Sequence, residues 1–210
     1  MLTSPAIFPK LIDSIAEIIA LNADAVTELD QTLGDGDHVY NLQRGILALQ
    51  TESAEIAALN WSEAWQKIGM IIMSSVGGAS GSLYATLFLS LAKNSRELVL
   101  DQPGFAQLFQ TAIQAVKARG KAEAGEKTLL DVWIPVADAL CQAAAAGKPV
   151  SETLQQVCLV AEAGVEATRN MLATKGRASF LGERSIGYPD AGAKTAQLMV
   201  AAIAKVFAAD

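Results

Sequence analysis

Histidine occurs once in this chain, at His38, and cysteine twice, at Cys141 and Cys158. Two cysteines at this distance form neither a disulfide framework nor a metal-ligand spacing, so both read as small buried hydrophobes in a reducing compartment. A single histidine excludes any chemistry that needs two within the same chain. Charged residues make up only 18% of the sequence, and sixteen basic against twenty-two acidic side chains leave a net charge of -6 with no Lys/Arg cluster. Nucleic acid is thereby excluded as a partner, because affinity for it depends on neutralising phosphates along a basic surface. The start, MLTSPAIFPK, lacks a basic region followed by an apolar run and a cleavage site, so no secretory signal is visible and the cytoplasm is the expected compartment.

Sustained apolar/polar alternation is missing too, which excludes most sheet architectures. Hydrophobic residues instead recur at helical spacing. Ile7, Leu11, Ile15 and Ile18 form one stripe, and Trp61, Trp65, Ile68 and Ile72 another. Phe105, Leu108, Ala112 and Val116 repeat the pattern, as do Leu129, Val132, Val136 and Leu140. Two further stripes follow at Leu154, Cys158, Ala161 and Val165, and at Leu198, Ala202 and Val206. Asn60 with Glu63 predicts a capped helix start, and Pro149 followed by Ser151 predicts another. Pro135, inside a helical pattern, is expected to kink or divide its helix. The stripes are broad, so the expectation is an all-α, single-domain bundle over residues 1–210, not a coiled coil.

No charge occurs between Ile68 and Ala92, a length that could span a bilayer. Its centre reads SSVGGASGS, which predicts two buried helices meeting at a Gly/Ser turn, with no membrane involved.

Against this helical background four loops hold the unusual residues. In LDQTLGDGDHVYN, Asp30, Asp35 and Asp37 lie within eight residues, with Gly34 and Gly36 free to fold the backbone between them. Clustered carboxylates suit a hard cation, but not in an EF-hand. The twelfth position is Ile46 counted from Asp35 and Asn41 counted from Asp30, and neither is the required glutamate. Mg²⁺ beneath a polyphosphate fits better, since it takes few protein carboxylates and completes its shell with water and phosphate. An acidic helix-capping turn is the plainer alternative, but capping uses one aspartate and leaves two unexplained. His38 could be a ligand, a base, a phosphate donor or a packing residue.

GGASG could offer free backbone N–H groups to an anion at the start of the following helix, or could simply let two helices pack closely. GKAEAGEKT is no P-loop, because Glu126 intervenes before Lys127 and no strand precedes it. Finally, Lys175, Arg177, Arg184 and Lys194 surround Asp190 in a long glycine-rich segment, the kind that covers a ligand in a compact domain, unless the charges merely pair at the surface.

Taken in order, LDQTLGDGDH…N, SSVGGASG, RGKAEAGEKTLLDVW and GRASFLGERSIGYPDAGA resemble the motifs of the nucleotide-binding L subunit of dihydroxyacetone kinase, also found as the C-terminal domain of single-chain dihydroxyacetone kinases. The resemblance runs nearly end to end. It implies an antiparallel eight-helix barrel with a nucleotide site at one rim. Asp30, Asp35 and Asp37 would bind two Mg²⁺ ions. His38, Asn41, Ala79, Ser80, Gly120, Leu129, Arg177, Asp190 and Gly192 would line the site for ADP or ATP. It further implies a relay, in which a phosphohistidine-carrying subunit of the phosphotransferase system recharges bound ADP and the phosphoryl group passes to dihydroxyacetone on a companion kinase subunit. The alternatives are the nucleotide module of an ATP-dependent kinase for another substrate, and a non-enzymatic metal-dependent helical scaffold. This chain departs from the family pattern where Val39 replaces a glycine after the motif histidine, and where Ala191 replaces a proline.

Overall fold

The computed structural model describes residues 4–96 and 98–209, which contain ten α-helices and no strand. They are α1 (Phe8–Leu21), α2 (Ala23–Leu33), α3 (His38–Thr51), α4 (Ser53–Ala58), α5 (Trp61–Ser75), α6 (Gly78–Asn94), α7 (Gln102–Gly120), α8 (Leu130–Ala145), α9 (Val150–Thr168) and α10 (Ala191–Ala209). A short 3-10 segment, Pro5–Ile7, precedes α1, and a second, Arg177–Ser185, lies between α9 and α10.

Eight of the helices close a ring. α1 packs on α3, α3 on α5, and the sequence continues through α6, α7, α8 and α9 to α10, which returns to α1. α2 prolongs α1 beyond a one-residue break at Asn22, and α4 follows α3 across a similar break at Glu52. Neighbouring helices run in opposite directions. Arg44 meets the Ser75 carbonyl while Glu52 meets Lys67, so numbers rise along α3 as they fall along α5. The expected eight-helix ring is therefore present, with α2 and α4 as additions that the motif resemblance did not separate.

Local signals explain some of the helix starts. Asn60 and Glu63 form the reciprocal capping box read from the sequence, satisfying two N–H groups that a helix start leaves free. Asp101 caps α7 through the Gly104 N–H at 2.8 Å. The uncharged stretch from Ile68 to Ala92 folds as the end of α5, a two-residue turn and most of α6, packed together as an antiparallel hairpin. One helix, α10, is long and apolar enough to cross a membrane by length and composition. It is a stave of the ring, packed against α1, α2, α8 and α9.

The core fills the ring. Leu108, Ile113, Val116 and Val132 are almost wholly removed from water, each stabilising the fold by roughly 1.5–3 kcal/mol. Tyr84 of α6 and Trp133 of α8 meet edge to face at 5.0 Å across the intervening α7, so aromatic rings occupy the barrel interior.

Two expectations change and a third is narrowed. The buried line of α1 is Phe8, Ile12 and Ile19, with Leu11, Ile15 and Ile18 at its margin, because α1 lies between α3 and α10 and buries a face wider than one stripe. Cys141 and Cys158 are only partly buried, since each sits at the edge of its helix's packed face. Pro135 does not divide its helix, as α8 runs unbroken from Leu130 to Ala145. Proline at 135 cannot donate to the Asp131 carbonyl one turn earlier. That carbonyl instead faces Gly164 of α9, where even a methyl group would collide with it.

Candidate functional site

An even-numbered up-and-down ring brings alternate connections to the same end. At that end meet the last turns of α2, α5, α7 and α9 and the first turns of α3, α6, α8 and α10. Between them lies a cavity of about 500 Å³. All twelve residues singled out in the sequence line it: Asp30, Asp35, Asp37, His38 and Asn41 from one side, Ala79 and Ser80 from the start of α6, and Gly120 from the end of α7. Leu129 precedes α8, Arg177 comes from the 3-10 segment, and Asp190 and Gly192 stand at the start of α10. Four helix N-termini thus converge on one space, each bringing a partial positive charge.

The acidic stretch is less of a loop than its composition suggests. α2 extends to Leu33 and α3 begins at His38, so only Gly34–Asp37 is irregular. Gly36 takes φ 76°, a left-handed conformation open to glycine at no steric cost, and this reverses the chain. Each of Asp30, Asp35 and Asp37 thereby offers a carboxylate oxygen within 4.8 Å of the other two. Asp30 is anchored, accepting the His38 N–H at 3.1 Å, whereas Asp35 and Asp37 are exposed. Three hard oxygen donors of like charge at this separation repel one another and fit a small divalent cation well. Val39 is helical and buried in α3, so its position asks for no left-handed backbone.

His38 is buried between two hydroxyls, with Nδ1 3.1 Å from Ser80 Oγ and Nε2 2.9 Å from Thr195 Oγ1. Burial lowers its pKa below the ordinary value, against the opposing pull of Asp30 and Asp37. Across the cavity, Asp190 caps α10 by accepting the Ala193 N–H at 2.7 Å. Burial pushes its carboxyl up to about 6, although that hydrogen bond and the nearby Lys127 both favour ionisation. At the mouth, Arg177 Nη2 lies 2.7 Å from Asp35 Oδ2, an exposed ion pair that ties the 3-10 segment to the acidic turn.

Several positions that build the surroundings of the cavity were not legible in the sequence. Lys127, which follows Glu126 in GKAEAGEKT, is buried at the cavity wall. Its ammonium donates to the carbonyls of Thr168 and Tyr188 at 2.6 and 2.5 Å. Its backbone takes φ 59°, a strained conformation for a residue with a side chain. Asp131 holds the same turn from below, accepting the N–H groups of Gly125 and Thr128. A charged residue inside the apolar run LLDVW was the available signal for Asp131. Thr195 carried none.

A family model for the DAK2 domain matches residues 32–205. The chain belongs to the DAK2 domain family. Among its DAK2 relatives, the ADP-binding subunit DhaL of the PEP-dependent dihydroxyacetone kinase of Escherichia coli is 37% identical over 191 residues, covering 90% of each chain. The corresponding subunit of dihydroxyacetone kinase 1 of Listeria innocua is 38% identical over 190 residues, again 90% of each. The ADP-binding subunit DhaL of the PTS-dependent kinase of Lactococcus lactis is 39% identical over 193 residues, 91% of this chain and 92% of that one. The fold is shared with the crystal structure of the dihydroxyacetone kinase from C. freundii in complex with AMP-PNP and Mg²⁺, at a TM-score of 0.74 and 20% identity. That match covers 95% of this chain and 34% of the kinase, so this DAK2 chain spans about a third of the larger protein.

Proposed function

We propose that this chain is the ADP-binding subunit of a phosphoenolpyruvate-dependent dihydroxyacetone kinase. In this reading a bound nucleotide is recharged by a phosphohistidine-carrying subunit of the phosphotransferase system. Its γ-phosphoryl group then passes to dihydroxyacetone held on a companion subunit, giving dihydroxyacetone phosphate. The observation that carries it is the meeting of three carboxylates with four helix N-termini around one cavity, in a chain that aligns with 90% of the length of a DhaL subunit.

Asp30, Asp35 and Asp37 would hold Mg²⁺, two ions in the fullest form of the proposal, and their donor set fits that ion. Bound there, magnesium supplies charge neutralisation to the nucleotide phosphates. The chain's own groups do the rest. N–H groups at Ala79 and Ser80, free of intrahelical acceptors, receive phosphate oxygens and align them. His38 and Asn41 fix one wall, while Asp190 and Gly192 fix the other. Gly120 and Leu129 give an uncharged surface against which a flat base can rest. Arg177, released from Asp35 when a cation takes that carboxylate, is placed to meet phosphate charge at the mouth. Phosphoryl transfer requires such alignment and charge stabilisation more than covalent chemistry. With its one histidine buried between two hydroxyls, the chain has none left to carry phosphohistidine or to capture a carbonyl substrate, which calls for both partners.

Native mass spectrometry of untreated protein should show retained ADP. A phosphohistidine donor should convert it to ATP, and addition of the dihydroxyacetone-binding subunit should then yield dihydroxyacetone phosphate. Turnover that instead requires exchange of bound nucleotide with free ATP would favour an ATP-dependent kinase module. Protein that binds neither Mg²⁺ nor nucleotide would defeat both readings.

A further inference from the structure

Thr195 has no part in the nucleotide reading, yet it is fully buried in the first turns of α10 and touches the one histidine. Its hydroxyl donates to the Gly192 carbonyl at 3.0 Å. A threonine hydroxyl has a single hydrogen. Spent on Gly192, it leaves only lone pairs for the imidazole, so His38 Nε2 must bring the hydrogen to their 2.9 Å contact. A neutral imidazole carries one N–H, which makes Nδ1 a bare acceptor. That nitrogen faces Ser80 Oγ at 3.1 Å, so Ser80 must donate. The three hydrogen bonds therefore run one way, from Ser80 through His38 and Thr195 to Gly192.

We propose that Thr195 is a positioning residue for the nucleotide site, fixing His38 in the tautomer protonated at Nε2 and thereby turning the Ser80 hydroxyl hydrogen inward. The proposal rests on the nucleotide reading of the cavity. Its consequence lies at the start of α6. Ser80 presents to the cavity its backbone N–H and the lone pairs of its hydroxyl, not an outward O–H. Lone pairs there can accept from the water shell of a bound cation. The chain of bonds also ties two cavity walls together, since Ser80 and Gly192 belong to helices that do not pack on one another in the ring.

Because His38 is the sole histidine, the imidazole nitrogens of ¹⁵N-histidine-labelled full-length protein give one unambiguous pair of NMR signals. At mildly alkaline pH, Nε2 should show the shift of a hydrogen-bearing nitrogen and Nδ1 that of a bare one, with or without Mg²⁺ and ADP. The reverse assignment, or an averaged pair, overturns the proposal without any mutation. Thr195→Val, close to isosteric, should abolish that pattern and weaken Mg-ADP binding by calorimetry roughly two- to tenfold, the worth of one such bond. Thr195→Ser should preserve both. A Thr195→Val protein that keeps the wild-type tautomer, or changes it with unchanged ADP affinity, also overturns the proposal. Should Thr195→Val fail to fold, the wild-type and Thr195→Ser spectra and affinities still decide. Wild-type protein with the expected tautomer but no affinity for Mg-ADP would defeat the nucleotide reading itself, a result distinct from a wrong tautomer.

Discussion

The ammonium of Lys127 reaches 2.6 Å from the carbonyl of Thr168, joining the turn before α8 to the last residue of α9. A second bond to the Tyr188 carbonyl adds the segment that leads into α10, so one side chain gathers three pieces of backbone beneath the cavity. Burial lowers the lysine's pKa, Asp190 opposes that shift, and Arg169 adds to it. Lys127→Met should therefore cost roughly 2–4 kcal/mol in urea unfolding, because two carbonyls each lose a donor. An unchanged midpoint would show that the clamp is idle.

Asp37→Asn should separate metal binding from folding. Without metal, the three carboxylates within 4.8 Å only repel, so the variant's Tm should match or exceed that of the parent chain. Mg²⁺-dependent ADP affinity, measured by calorimetry, should fall at least about tenfold. Equal affinity in both proteins would remove Asp37 from the cation site.

Asp190 predicts a pH dependence. Burial raises its carboxyl from 3.8 to about 6, so the folded state holds a proton that the unfolded state releases. The resulting penalty is absent below pH 3.8, grows as pH rises through the window to about 6, and is complete above it. Asp190→Asn can still cap α10 but carries no charge. It should be more stable than wild type at neutral pH, with the advantage shrinking as pH falls through that window. A pH-independent difference in unfolding free energy would refute this assignment.

Gly164→Ala tests the contact that accommodates Pro135. A methyl there meets the Asp131 carbonyl and must push α9 from α8, at a cost of about 1–3 kcal/mol. Thermal unfolding at wild-type temperature would mean that the two helices are not held this closely.

The parts of this protein that were legible in its sequence are those whose physics is local. Asn60 and Glu63 cap a helix three residues apart, and the Gly/Ser stretch turns one helix into the next. Asp30 near the end of α2 and Asp35 and Asp37 in the turn that follows come together within eight residues, so their convergence could be read from spacing alone. Thr195 could not be found this way, because its meaning lies in a contact with His38, 157 positions away. Lys127 was hidden for the same reason, with carbonyl partners 41 and 61 residues further on. Pro135 was read as a kink or a break, and only the unbroken run of α8 rules out the break.

A ring built from sequence neighbours zips up locally around most of its circumference, with one exception. The seam where α10 meets α1 and α2 joins opposite ends of the chain, and it is also where Asp190 and Thr195 come to stand across from Asp30 and His38. One side of the cavity wall is therefore delivered by the most entropically expensive contact in the molecule. A nucleotide gripped from both sides would act as a rivet through that seam, so hydrogen exchange in α1, α2 and α10 is where occupancy of the cavity registers most strongly.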